Sequence, residues 1–94
     1  MANFGYESLT VSTSAVGITD SVRSGRDRAL ITVETDQIRF RSDGPAPTTS
    51  EGHLVDAGAS IILESAEELV NFKAIRVTAD ATLKVTSDER GVGA

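Results

Sequence analysis

"ALITVET" (Ala29–Thr35) sets Ala29, Ile31 and Val33 on one side of an extended chain and Leu30 and Thr32 on the other. The same period of two returns in short, β-branched segments along the whole sequence, cut by Gly, Pro, Asp and Ser. Alternation of this kind builds half-buried strands, and a helix has no use for it. The other segments are Glu7–Thr13 with Leu9 and Val11 inward, Gln37–Ser42 with Ile38 and Phe40 on one face, and His53–Gly58. Ala59–Ser65 follows, with Ile61 and Leu63 opposed to Ile62, and then Lys73–Ala79 and Ala81–Ser87 around a turn at Ala79-Asp80. Turns every ~8–12 residues are the spacing of a β-sandwich or small barrel. The expected fold is therefore all-β: a single small antiparallel β-sandwich or barrel-like domain with one short helical turn.

The helical turn is expected at Ser65–Phe72, where Ser65 can cap the first turn and Glu68 stands at the third helical position. Ser14–Arg28 is rich in Ser, Gly and Asp and reads as a loop, with a turn or edge strand around Val16–Ile18. Between the second and third strands only Asp36 intervenes. The inward set changes parity there, which favours a tight reversal at Thr35-Asp36 making a hairpin over the alternative of one long strand with a kink or bulge. Ser42–Gly52 is a loop, because Asp43-Gly44 is turn chemistry and Pro45 and Pro47 cannot join a ladder. The domain organisation follows: residues 1–28 hold an N-terminal arm, the first strand and a loop, 29–87 the main sandwich, and 88–94 a flexible C-terminal tail.

Function classes narrow by charge and residue type. Nine Lys and Arg against 14 Asp and Glu leave a net charge of −5. That opposes non-specific nucleic-acid binding and docking on an anionic membrane. No apolar stretch reaches the ~20 residues of a membrane-spanning helix. The start "MANFGYESLTV" lacks a basic and apolar leader, so a soluble protein outside the general export route is expected. Cysteine is absent and histidine occurs once, at His53. A nucleophilic triad or a His-based metal site needs partners that His53 and Asp56 alone do not supply. His53 is expected instead to pack on its neighbours at a loop edge. No catalytic residue, metal or cofactor is expected, and the chain is not expected to be an enzyme.

Arginine outnumbers lysine seven to two, and Arg39 and Arg41 share one strand face while Arg76 holds a similar position in "KAIRV". A guanidinium fork suits interfaces and bidentate pairing better than an ammonium. Arg39, Arg41 and Arg76 are thus candidate subunit-interface residues, the plainer alternative being a solvated face with cross-strand pairs to Asp or Glu. Phe4 and Tyr6 lie ahead of the best strands. They are candidate contacts of an N-terminal arm that adds a strand to a partner's sheet edge, or else they cap the chain's own core.

"ALITVETDQIRFRSDGPAPTTSEGHLVDAG" followed by "NFKAIRVTADATLKVTS" resembles a group of small all-β proteins of tailed bacteriophages and prophages. The likeness rests on an "IRFR-DG-PT" strand and turn, a "GH-L--G" segment, and an "F+AIR" strand before a terminal "ATL-V-" strand. It covers Ala29 to about Ser87. What it implies is a virion component made in the host cytoplasm: a capsid decoration (cement) protein on the shell exterior. Such a protein is often a homotrimer that clamps neighbouring copies of the major capsid protein. The other roles open at this point are a tail or head–tail accessory protein and a receptor- or glycan-binding module. Scarce aromatics weaken the last of these.

Overall fold

The computed structural model describes residues 4–89. Seven strands and two one- to two-turn helices run in the order β1 (Gly5–Val11), α1 (Asp20–Arg23), β2 (Arg28–Glu34), β3 (Ile38–Arg41), β4 (His53–Val55), β5 (Ser60–Leu63), α2 (Ala66–Asn71), β6 (Lys73–Arg76) and β7 (Ala81–Asp88). They form two antiparallel sheets, one of four strands in the order β1-β7-β2-β5 and one of three in the order β4-β3-β6. The all-β antiparallel fold read from the sequence is present, and of the sandwich and barrel alternatives it is two sheets, with two short helices where one was expected. Asp88, assigned from the sequence to the tail, instead closes β7. Residues 1–3 of the expected arm and residues 90–94 of the expected tail lie outside the described residues.

Each sheet turns its apolar parity inward. Ala29, Ile31 and Val33 of β2, Ile61 and Leu63 of β5, and Ala81, Leu83 and Val85 of β7 are buried against Ile38, Leu69, Phe72 and Ala74. At roughly 25 cal/mol per Å² of apolar surface removed from water, this contiguous cluster is the main stabilising contribution. Val11 and Ile18 join it, so the chain before residue 29 belongs to the same sandwich.

The expected hairpin between β2 and β3 is not formed. β2 pairs with β7 and β5, whereas β3 pairs with β4 and β6. Thr35-Asp36 is instead a corner at which the chain passes from one sheet to the other. Thr35 adopts φ 81° there, a left-handed setting that strains a β-branched residue. The parity change seen in the sequence marks this change of sheet. A tight turn would have kept both strands in one ladder.

Within Ser14–Arg28 the edge strand expected around Val16–Ile18 is a single bridge, and a short helix not expected there follows it. Val16 exchanges both backbone hydrogen bonds with Ala74, at 2.9 and 2.8 Å, and so covers the free edge of β6 with a single bridge. A one-turn helix, α1, then closes the end of the sandwich. It is held by Ser87, whose buried hydroxyl donates to the Val22 carbonyl at 2.6 Å. Glu7 falls on the inward parity of β1, and Thr19 satisfies its carboxylate through both its backbone N–H and its hydroxyl. At α2 the expected cap is present: Ser65 Oγ accepts from Glu68 N at 3.1 Å. Glu68 reaches back to the N–H of Glu64, one residue before the cap.

Candidate functional site

Among the described residues, β3 and β4 are the only sequential strands that pair with each other, and the 11 residues joining them, 42–52, form a compact loop with adjacent ends. Pro47 is buried inside it. Gly52, at φ 130°, lets the loop close: a Cβ at that position would stand 3.1 Å from the Phe40 carbonyl oxygen and 3.1 Å from Pro47 Cβ. Loops that are short, closed and packed on themselves are frequent carriers of function.

Three cations of the outer face of the three-stranded sheet are directed into this loop. Arg39 donates through Nε to the Thr49 carbonyl at 3.0 Å and through Nη1 to the Gly52 carbonyl at 2.9 Å. Arg41 forks onto Asp43, with Nε–Oδ1 2.9 Å and Nη2–Oδ2 2.6 Å. Lys73 of β6 stands directly opposite Arg41 in the ladder and donates to the Gly44 carbonyl at 2.9 Å. Like charges facing one another across a ladder repel. Here each has its own acceptor in the loop, so the pair becomes two of the loop's anchors. The hydrogen bonds from Arg41 hold the Asp43 carboxyl below its ordinary value, against a smaller opposing effect of desolvation.

Arg76 does not belong to this group. It is the ladder partner of Ile38 and so lies on the inward parity at the strand's end, opposite to the face of Arg39 and Arg41. Its guanidinium turns away to Asp80. The similar position expected for the three arginines is therefore corrected: two brace the loop from one face, and the third ties down the corner between β6 and β7. His53 packs its ring on Phe40, with centroids 5.3 Å apart, and Phe40 in turn packs on Phe72 at 5.6 Å. A shallow, wide-mouthed groove beside the loop is lined by Arg41, Ser42, Asp43, Glu51, Gly52 and His53. Among the described residues, no cluster of three or more His, Asp or Glu is placed to hold a metal ion.

The arm residues lie elsewhere. Tyr6 is inside β1 and pairs with Thr86 of β7, and Phe4 immediately precedes that strand. Both point to solvent, Phe4 63% and Tyr6 61% exposed. The ladders extend this into a row across all four strands, Tyr6–Thr86–Leu30–Ile62, with Leu30 47% and Ile62 56% exposed. The sequence places Leu30 and Ile62 opposite the inward residues of their strands but does not join them. Four residues from positions 6, 30, 62 and 86 become neighbours only through strand order.

No family model matches this chain, and neither the curated proteins nor the solved structures yield a match.

Proposed function

We propose that this chain is a structural protein of a tailed-phage particle, one that binds the outside of the assembled capsid and holds neighbouring major capsid subunits together. The observation that supports this reading most is the braced loop. Of the segments that carry the resemblance, Ile38–Arg41, Asp43-Gly44, Pro47-Thr48 and Gly52-His53 build it and its two strands, while the Phe72–Arg76 and Ala81–Val85 segments lie in β6 and β7 or just before them. Their cations and acceptors are used on one another, which fixes the loop's shape before any partner arrives. A loop ordered in advance gives up less conformational entropy on docking. Its outward residues, Thr48, Thr49, Ser50 and Glu51, are exposed and supply hydroxyls and a carboxylate to a partner surface. Repeated over a lattice, contacts of modest strength gain from high effective concentration. Ligation of the assembled state alone stabilises that state by mass action.

The test is made on particles. The genome that encodes the chain is induced, heads are purified, and the chain is sought in them by mass spectrometry and as density over the shell by cryo-electron microscopy. Stoichiometric recovery with density outside the shell is expected. Particles that assemble and purify without the chain would reject the reading.

A further inference from the structure

We infer that the outer face of the four-stranded sheet is the docking surface for a second copy of this chain, stacked face to face about a two-fold axis. The inference goes beyond the particle-binding role and does not depend on it, because it concerns the isolated protein.

The face has an apolar centre and charged flanks. Its centre is the row Tyr6–Thr86–Leu30–Ile62. One residue pair away on one side stand Asp88 and its ladder partner Arg28, and on the other Lys84 and Thr32. The Arg28 side chain is exposed and makes no ion pair or hydrogen bond with another of the described residues. Asp88 stands opposite Arg28 without an ion pair, and its Oδ1 is buried with no hydrogen-bond partner. An apolar band with Asp88 and Arg28 on one flank and Lys84 on the other is a surface fitted to something apolar that brings both a cation and an anion.

The face itself meets that description. Packed sheets keep their strands within about 30° of each other, and two identical faces can stack only about an axis lying between them. If the axis runs along the apolar row, Leu30 meets Leu30 of the second copy and Asp88 meets its Lys84. If it runs along the strands, Tyr6 meets Ile62 of the second copy and Asp88 meets its Arg28. Both settings bury the row against itself and give Asp88 a cation. A four-stranded face is about 19 Å wide, with strands spaced about 4.8 Å apart. Its footprint is therefore smaller than the ~800 Å² per partner of a standard interface. The dimer is accordingly expected to form and dissociate with concentration.

Sedimentation velocity on the purified chain, from low micromolar into the millimolar range, reads this out. A reversible monomer–dimer equilibrium is expected. Leu30→Thr, which places a β-branched residue suited to an exposed strand position, should weaken it about tenfold or more. Asp88→Lys should weaken it similarly by setting like charges together. Adding Lys84→Asp restores the dimer if the axis follows the row, and adding Arg28→Asp restores it if the axis follows the strands. Lys84 and Asp88 lie about 13 Å apart along one strand, so rescue by that pair cannot arise within one monomer. Circular dichroism of each variant shows that it is folded. Should Leu30→Thr not fold, Ile62→Thr repeats the test at the edge of the row. A chain that stays monomeric throughout overturns the inference. So does an oligomer indifferent to Leu30 and Asp88, or an Asp88→Lys defect that neither second change repairs.

Discussion

The two outer faces of the sandwich treat their conspicuous residues in opposite ways. On the three-stranded sheet, Arg39, Arg41 and Lys73 stand in a crowded basic group, yet each reaches an acceptor in loop 42–52. On the four-stranded sheet, Tyr6, Leu30 and Ile62 lie open to solvent, and Arg28 and Asp88 are cross-strand neighbours that form no ion pair. The first face has spent its chemistry on its own shape; the second has kept it available. Charge density in a sequence therefore points poorly to an interface. What matters is whether a group is satisfied inside its own chain.

The sharpest way to break this comparison is at Gly52. Gly52→Ala puts a Cβ against the Phe40 carbonyl at a φ that non-glycine residues avoid, and should cost about 1–3 kcal/mol, read as a lower denaturant midpoint. Gly25→Ala also meets a positive φ but has open space around it, so it should cost less. Equal losses would mean that the loop is not tightly closed.

Next in size is Arg39→Met, which keeps the apolar stem and removes both donors to the loop. A loss of about 1–2 kcal/mol is expected, with faster amide exchange and proteolysis confined to residues 42–52. Arg41→Met should cost less than Arg39→Met, because its ion pair with Asp43 is exposed. A reversed order would make Arg41 the main brace.

On the other face, Leu30→Thr should leave the monomer's stability within about 0.5 kcal/mol of the parent, measured at concentrations too low for self-association. A large loss there would make the row part of the core.

The smallest effect is an acid one. Asp43 titrates lower in the folded chain than its ordinary value of 3.8, so its pairing contributes fully above that value and is lost as pH falls through the depressed one. Asp43→Asn should flatten the acid side of the stability profile slightly. An unchanged profile would show that the Arg41 fork does not persist in solution.

The reading of Arg39, Arg41 and Arg76 as one interface group shows where sequence reasoning stops. Alternation put Arg39 and Arg41 on a common face correctly, because parity along one strand is local. It could not relate Arg76 to them, since that depends on the register in which β6 meets β3, and the register set Arg76 opposite the buried Ile38. Nor could it see that Thr49 and Gly52 would fold back within reach of Arg39. Those acceptors are backbone carbonyls, which every residue has and no sequence pattern marks. The hairpin expected at Thr35-Asp36 failed for a related reason: a short connection fits a reversal within one sheet and a corner between two sheets equally well.

The sequence by itself determined the strands, the inward faces of β2, β5 and β7, and the cap that starts α2, because all of these arise from contacts a few residues apart. Only the tertiary structure decided that β7 lies between β1 and β2. That single placement brings Tyr6, Leu30, Ile62 and Thr86 into one row and sets Asp88 beside Arg28. Strand order is chosen by the burial of the whole core at once, and no local stretch of chain contains that information.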